Sequence, residues 1–520
     1  MHNLVKEKIC LDQKIGKEVS QLLLEGDIIV PDVKPDMSVI LQTDSSVCIN
    51  KVELSNDRVN FMGRLDISVL YLAKGAEKPV HSMNISTHID DFINMDGITK
   101  EMWGDVKASI ANIEYKMLND RKINYRAIVD VTVSGEYSEM REVVVDIDDI
   151  PESQCLKSSL NLNKSVENKV DKFIVKDEIT IPSGKPNIRE ILQCTVDINN
   201  KDIRVSNGKI NINGELTVTT LYKCDDDISV IEFLENEIPF NGAVEVANAR
   251  DDMFSDVTLT ILDKYLQIKP DSDGEDRVIE IEVTISSIIK VSMIETLQVL
   301  KDAYIINEKL NLNKIPVKYP KLVCRNKNQT PIKEIIQMDE GTPDMLQIYR
   351  IAGKPYLDMI KVMDDKVLVE GVIETNVLYV AESDNTPLFS FNTILPYKQL
   401  IETKGTKQNM NVSVDVNIDH IGFNLLSGRE VEVRFLMSFN TQVNEEKESI
   451  MITDIDFCEM EQESLDGFSS ISVYSVQPGD NLFEIAKMFN TTINEIVELN
   501  ALDNPNHLQI AQKLLILKKV

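Results

Sequence analysis

Three stretches of this chain repeat one another with the same internal spacing. In the first, Pro35-Asp36 is followed by Gly63 and then by Leu70-Tyr71. The frame returns twice, as Pro186-Asn187, Gly214 and Leu221-Tyr222, and as Pro343-Asp344, Gly371 and Leu378-Tyr379. Proline and glycine are 28 residues apart each time, and glycine and tyrosine are 8 apart. A fixed spacing without insertions indicates three copies of one structural unit.

The residues that lead to each tyrosine alternate between apolar and polar. Counting by twos from Val59, Ile210 and Val367, 16 of the 18 positions other than the glycines are apolar. A period of two over this length predicts a long strand with one buried face. Turn sequences such as Asn207-Gly208 precede the strands and predict β-hairpins. The glycine in mid-strand predicts a bulge or the close approach of another backbone.

Further alternating runs follow each tyrosine, and the segment Leu-Asn-Leu-Asn-Lys occurs at 160–164 and again at 310–314, 150 residues apart. Many short strands separated by turns predict antiparallel sandwich or barrel-like domains. Short helices are predicted near 35–41, 186–193, 343–349 and 331–338, because proline suits the first position of a helix.

These patterns predict a multidomain, mainly β protein. It comprises a row of three tandem antiparallel β-sandwich or barrel-like repeats and a small βααβ domain. The predicted ranges are 1–158, 159–315 and 316–458 for the repeats, 459–471 for a linker, and 472–520 for the last domain. The linker is predicted from its acidic residues (Glu459, Glu461, Glu463 and Asp466) and from its lack of an apolar period.

Composition narrows the classes of function. A net charge of −30 argues against a nucleic-acid partner, which would need clustered Lys and Arg. The seven cysteines are scattered without a C-x-x-C pair, which argues against a zinc site or a disulfide framework and favours a reducing compartment. Neither a secretory leader nor an apolar run long enough to span a membrane is recognised, so we expect a cytosolic protein without a transmembrane segment.

No catalytic motif is found. The chain lacks a P-loop, a dinucleotide-binding glycine motif and a G-x-S-x-G elbow, and its five histidines have no ligand spacing. The acidic segment 271–276 resembles a calcium loop, but its glycine falls at the fourth position and not the sixth, so a hairpin turn is the better interpretation. We therefore expect no enzyme activity, no cofactor and no metal site. Tyr71, Tyr222 and Tyr379 are predicted to pack in the core with their hydroxyls at its rim.

The last fifty residues follow a different pattern. Tyr474 to Leu482 reads as a strand and a tight turn, and Leu482, Ile485, Ala486 and Phe489 have the spacing of a one-sided helix. Thr492 and Glu495 form a capping box at the start of a second helix, and residues 513–517 predict a final strand.

This pattern resembles the LysM domain. The shared features are the Tyr-x-Val-x-x-Gly-Asp-x-Leu opening, the Ile-Ala of helix one, the Leu-Asn that ends helix two and the Leu-x-x-x-Gln-x-Leu-x-Ile ending. Departures are Ala511, where LysM domains usually carry glycine, and Asn481, where threonine or serine is common. The resemblance implies a shallow groove for N-acetylglucosamine polymers. Its residues here would be Gly479, Asp480, Asn481, Leu482, Leu508, Gln509 and Ile510. Alternatively, Gly479 and Asp480 only form the turn and the helix cap.

The three repeats with this tail resemble the tandem SPOCS domains of sporulation and cell-envelope proteins. The resemblance implies a non-enzymatic spore-coat morphogenetic scaffold in the mother-cell cytoplasm, gathered at the forespore surface. Its LysM domain would bind stage IV sporulation protein A, the ATPase of the coat basement layer. The β repeats would be available for other coat proteins.

Charge favours a protein ligand for the last domain over a glycan. Residues 472–520 carry four lysines against five acidic residues, whereas the rest of the chain carries −29. This domain can therefore approach an acidic partner that the repeats would repel. A glycan-binding domain would also need export, and no leader is recognised. The alternatives are a peptidoglycan- or cortex-glycan-binding envelope protein and an enzyme with an unrecognised site.

Overall fold

The computed structural model describes residues 3–75, 80–148, 150, 153–225, 231–306, 308–381, 388–459, 471–502, 504–505 and 507–517. Strands make up 79% of the described residues and helices 3%, which confirms the mainly β prediction. Apart from its two end residues, the predicted acidic linker at 459–471 lies outside the described residues.

Each repeat is a unit of six strands. The first unit has β1 (Asn3–Ile29), β2 (Met37–Ser55), β3 (Arg58–Ala73), β4 (Val80–Asn94), β5 (Trp103–Asn119) and β6 (Lys122–Asp148). The second has β7 (Gln154–Thr180), β8 (Ile188–Ser206), β9 (Lys209–Cys224), β10 (Ile231–Glu245), β11 (Phe254–Pro270) and β12 (Asp276–Tyr304). The third has β13 (Glu308–Gln337), β14 (Met345–Met363), β15 (Lys366–Ala381), β16 (Leu388–Glu402), β17 (Asn411–Ser427) and β18 (Glu430–Glu459). Domain boundaries other than these strand limits stay predictions.

The six strands of a unit form two antiparallel sheets of three strands. Their orders are β2-β3-β4 and β1-β6-β5 in the first unit, β8-β9-β10 and β7-β12-β11 in the second, and β14-β15-β16 and β13-β18-β17 in the third. Each unit has one apolar core to which both of its sheets contribute. Two sheets packed face to face over a common core are a β-sandwich, which is one of the two architectures that the sequence left open.

The repeated strand is the centre of the first sheet in each unit. Residues alternate between buried and half-buried along β3, β9 and β15, which confirms the predicted buried face. A side chain at Gly63 or Gly371 would collide with a carbonyl oxygen of the neighbouring strand. The predicted close approach is therefore present, although the accompanying bulge lies in that neighbouring strand, for example between Ile49 and Lys51.

The four predicted short helices are wrong. Residues 37–41, 188–193 and 345–349 begin the strands β2, β8 and β14, and residues 331–337 lie in β13. In β2, register shifts between Met37 and Val39 and between Ile40 and Gln42 place two bulges close together, and they recur in β8 and β14. Each bulge inserts a residue and changes which face the next side chain occupies. Met37 and Ile40 consequently share the core although they are three residues apart, which is a spacing that resembles a helix.

The first and last strands of each unit extend beyond their sandwich. They are 27 to 30 residues long, and each pair continues past a register shift as a two-stranded ribbon, which we call an arm. The arms comprise 3–14 with 136–148, 154–165 with 292–304, and 308–322 with 444–459. Apolar side chains from all three arms, such as Ile9, Leu160 and Val317, pack into shared cores. The three units are therefore joined along their arms.

The sandwiches also meet one another, at a cluster that we call the axis cluster. Most of its members come from equivalent positions of the first sheet in each unit. They are Leu70, Leu221 and Leu378; Leu41, Leu192 and Tyr349; and Val80, Ile231 and Leu388, of which all but Leu41 and Ile231 are fully buried. Arg350 of the third unit reaches Asp44 of the first and Asp197 of the second, at 3.6 Å from each. All three units thus converge on one pseudo-threefold axis.

Contacts around the axis run in one direction. Arg64 of the first unit donates to the carbonyl of Leu262 in the second at 2.8 Å. The rings of Phe233 and Tyr349 join the second unit to the third, with centroids 5.4 Å apart. Lys354 of the third donates to the carbonyl of Ile110 in the first at 3.1 Å. Head-to-tail contacts that close after three copies form a ring, so the units do not form the row that we expected.

The C-terminal domain contains β19 (Ile471–Ser475), α1 (Leu482–Met488), α2 (Ile493–Leu499) and β20 (Lys513–Leu517). The strands pair antiparallel, and their inner face packs against both helices. Both hydrogen bonds of the predicted capping box at Thr492 and Glu495 are present. The predicted βααβ order is confirmed.

Candidate functional site

The repeated Pro-[Asp/Asn] and Leu-Tyr pairs belong to one structural cluster in each unit. The hydroxyl of Tyr71 donates to the carbonyl of Pro35 at 3.1 Å, and the same bond joins Tyr222 to Pro186 and Tyr379 to Pro343. Burial raises the pKa of Tyr71 to about 12. The tyrosines therefore lie in the core with a bonded hydroxyl, as predicted.

An arginine that sequence reasoning missed completes this cluster. Arg121 donates to the carboxylate of Asp36 at 2.6 Å and to the carbonyl of Val30 at 3.0 Å. Arg277 with Asn187, and Arg429 with Asp344, take the same places in the other units. Arg121 and Arg429 directly precede the last strand of their unit, and Arg277 is the second residue of β12. The recurrence of an arginine at this place was the available sequence signal. The cluster holds the turn before β2, β8 or β14 and needs no ligand to explain it.

The acidic segment 271–276 is a hairpin turn, as interpreted. The amide of Gly274 donates to the carbonyl of Asp271 at 3.2 Å, and the Asp271 carboxylate accepts from the amides of Asp273 and Glu275. Glu282 lies in β12 and pairs with Lys176 at 2.6 Å. Among the described residues, no group of His, Cys, Asp or Glu is arranged to hold a metal ion. None of the helices in the described ranges is long and apolar enough to cross a membrane.

Two loops of the C-terminal domain carry the residues of the predicted groove. The amide of Val476 donates to the carbonyl of Gln512, and the amide of Ala511 donates to the carbonyl of Val476, both at 2.9 Å. These bonds hold the turn at 477–481 beside the loop at 508–511. The structure therefore brings the two halves of the predicted site together, although their role in binding stays a prediction.

The predicted groove residues differ in how much of each side chain is available to a ligand. The Asp480 carboxylate accepts from the Gln477 amide at 2.7 Å and from the Tyr474 hydroxyl at 2.8 Å. Asn481 caps α1 by accepting from the Glu484 amide at 2.9 Å. The alternative interpretation assigned the turn and the cap to Gly479 and Asp480. The Asp480 carboxylate does stabilise the turn, but the residue that caps the helix is Asn481.

Other members of the set face different surroundings. Leu482 is buried in the domain core and Leu508 is half-buried. Gly479, Gln509 and Ile510 are exposed, and Ile510 retains 70% of its accessible surface. A ligand in this groove would therefore meet a small apolar wall at Ile510, with the backbone of the turn opposite to it.

The domain is docked on the second arm, which the sequence did not indicate. The ring of Tyr304, at the end of β12, contacts Phe483 of α1 edge to face, with centroids 5.2 Å apart. Its hydroxyl donates to the carbonyl of Thr491 at 2.9 Å, and Lys487 pairs with Asp302 at 2.6 Å. Tyr304 itself was the one sequence feature that could have indicated this contact. It is aromatic, whereas the equivalent positions in the other two arms are the acidic Asp148 and Asp456.

Comparisons with known proteins agree with this architecture. The family model described as "SipL, SPOCS domain" matches residues 36–118, 187–269 and 344–426. Each match covers the second to fifth strands of one unit. The model described as "LysM domain" matches residues 474–517. No curated protein and no solved structure matches the chain significantly.

Proposed function

Because this chain belongs to the SipL SPOCS-domain family and ends in a LysM domain, we propose that it is a non-enzymatic scaffold of the spore coat. In this proposal it acts in the mother-cell cytoplasm at the forespore surface. Its LysM domain binds a stage IV sporulation protein A-like ATPase of the coat basement, and its β units provide surfaces for other coat proteins. The combination of SPOCS units with one LysM domain carries the proposal.

Two features of the LysM domain support a protein ligand. The domain carries nearly balanced charge while the rest of the chain carries −29, so an acidic protein can approach it more easily than the body. Docking on Tyr304 uses α1 and the residues around Thr491, and it leaves Gly479, Gln509 and Ile510 exposed. These three residues of the predicted groove are thus accessible to solvent on the docked domain.

The proposal is tested by binding of the full chain to the purified ATPase. We expect Ile510→Glu to weaken binding about tenfold or more, because it places a charge in an apolar contact. Ile394→Glu, at an exposed aliphatic residue of β16, is the matched control and should leave binding unchanged. Equal affinity of the two variants would show that the ATPase does not bind at the groove. If the wild-type chain does not bind the ATPase, the proposed partner is wrong.

Sedimentation with purified peptidoglycan examines the remaining alternative. If the wild-type chain sediments with peptidoglycan and Ile510→Glu does not, the protein is an envelope glycan binder. A fluorescent fusion followed through sporulation checks the location, and signal away from the forespore would contradict the scaffold.

A further inference from the structure

The LysM domain has a second apolar surface, on the outer face of its two-stranded sheet. Ile471 pairs with Leu517 across the strands, and Val473 pairs with Leu515. These four aliphatic side chains remain 61%, 45%, 65% and 37% exposed, respectively. Residues directly opposite one another on antiparallel strands share a face, so the four side chains are contiguous. We call them the sheet patch.

The sheet patch is separate from the domain core and from the docking contact. The alternate residues Leu514 and Ile516 are buried among the helices, which leaves the patch on the opposite face of the sheet. The contacts with the second arm come from α1 and from the residues around Thr491 and Ile493. Among the described residues, the docking contact therefore does not involve the patch.

A partner strand beside β20 is disfavoured at Leu515, because Asn500 occupies the free edge of the sheet at that residue. The side chain of Asn500 donates to the carbonyl of Leu515 and accepts from its amide, both at 2.7 Å. Asn500 thus takes the hydrogen bonds that an added strand would use on that side. What remains available at this point is apolar side-chain surface.

The charges around the patch select the partner's chemistry. Neither β19 nor β20 contains Asp or Glu, and Lys513 is exposed on the same face as Leu515 and Leu517. The sequence continues beyond β20 into Lys518-Lys519. Lys513 would repel a basic segment at the patch and attract an acidic one. The rest of the chain has a net charge of −29 and therefore attracts basic segments and repels acidic ones. A second copy would bring together two equally positive strands and two acidic bodies.

We propose that the sheet patch binds an acidic, apolar segment of another protein, with aliphatic side chains over Val473 and Leu515 and carboxylates against Lys513. This surface is additional to the groove at Ile510 and does not depend on the identity of the groove ligand.

The test uses the full chain and a fluorescent peptide of two Leu-Glu-Glu-Leu-Leu-Glu-Glu heptads. We expect binding that weakens with salt, since exposed charges are screened over about 8 Å at physiological ionic strength. The double variant Val473→Glu/Leu515→Glu should bind the peptide at least about tenfold more weakly. Val19→Glu, at an exposed residue of β1, should bind like the wild type. A peptide with Lys in place of Glu should bind poorly.

A photo-crosslinker at position 473 of the otherwise unchanged chain supplies a second readout that does not require a destabilising variant. It should capture the acidic peptide, and the same probe at position 170, an exposed residue of β7, should not. Equal affinity of the double variant and the wild type, or no capture at 473, would overturn the proposal. A dimer of the full chain that the double variant dissolves would also overturn it, since a second copy would then occupy the patch.

The same variants separate this inference from the proposed function. If the ATPase does not bind but the peptide does, the scaffold proposal fails and the patch remains. If the ATPase binds, but the double variant does not weaken peptide binding and the crosslinker at position 473 captures no peptide, the sheet-patch proposal is wrong and the groove proposal stands.

Discussion

The SPOCS body and the LysM domain bury their apolar surface in different ways. In the body, each unit has its own sandwich core, and the axis cluster and the arms add interfaces that all three units share. The LysM domain has one small core, to which the body contributes little besides Tyr304 and Leu156. The body therefore behaves as one closed assembly, whereas the LysM domain is a peripheral module attached at one place.

This difference suggests a division of roles. A ring that closes on itself has no free end at which another unit can add. Partner binding is then expected at surfaces that the ring leaves exposed, and the LysM domain offers two of them. The following predictions examine whether the body is one cooperative unit and whether the module is independent of it.

The largest effect is expected at the axis cluster. Leu221→Asp places a charge among buried leucines of three units and should lower the free energy of unfolding by about 4 kcal/mol or more. Urea unfolding followed by far-UV circular dichroism measures this change. Val170→Asp, at an exposed position of the same unit, should change stability by no more than about 0.5 kcal/mol. A similar decrease in the free energy of unfolding for the two variants would mean that the stability of the sandwiches does not depend on closure of the ring.

An intermediate effect is expected where the module meets the body. Tyr304→Ala removes the ring that contacts Phe483 and should cost about 3 kcal/mol. Tyr304→Phe loses only the hydrogen bond to Thr491 and should cost about 1 kcal/mol. Hydrogen exchange should show lost protection in residues 482–499 of the alanine variant, with the sandwich strands unaffected. Loss of protection across the sandwiches would show that body and module unfold together.

A small gain in stability is expected within the module. Ala511 has a φ of +65°, a conformation that costs residues with a side chain about 1–2 kcal/mol. Glycine avoids this strain but loses more backbone entropy on folding, which offsets part of the gain. Ala511→Gly should therefore stabilise the LysM domain by about 0.5–1 kcal/mol. Ala486→Gly, in the buried face of α1, should have the opposite sign. Thermal unfolding of the module, measured by hydrogen exchange at several temperatures, distinguishes the two.

The smallest effect is expected in chemical labelling of a cysteine, which does not change the stability of the chain. The cysteine lies at the contact between the first two units, which we call the seam. Cys48 is buried near the carbonyl of Ile261 in the second unit, and burial raises the pKa of its thiol. Less thiolate is present at a given pH, so iodoacetamide should label Cys48 more slowly than the half-buried Cys324. The rate at Cys48 should still rise with pH above the usual thiol range.

Labelling of Cys48 also tests ring closure. Leu221→Asp should accelerate labelling of Cys48 and leave labelling of Cys324 nearly unchanged, if opening of the axis exposes the seam. Equal acceleration at both cysteines would indicate general unfolding.

Much of the architecture could be predicted from the repeats. The period of two before Tyr71, Tyr222 and Tyr379 is a local property of an extended chain, and it predicted the central strands and their buried faces. The LysM pattern likewise predicted two helices, a capping box and the meeting of two loops. These features depend on residues that are near one another in sequence, or on a spacing that recurs unchanged.

The errors arose where that local relation fails. The short helices were predicted from proline positions alone, but Pro35, Pro186 and Pro343 precede the bulged strands β2, β8 and β14. Arg121 and Asp36 are far apart in sequence, and only the fold brings them to 2.6 Å. Leu70 occupies a position that alternation alone assigns to the polar face, and its partners lie in two other units.

The sequence by itself determined three like antiparallel β domains and a LysM module, because strand alternation and helix periodicity are encoded over short stretches of chain. Only the tertiary structure decided that the sandwiches close around an axis, that the arms share a core, and that the module docks at Tyr304. Those outcomes depend on contacts between residues hundreds of positions apart, which no periodicity records. The exposure of the sheet patch likewise depends on how the described parts of the chain pack around the module.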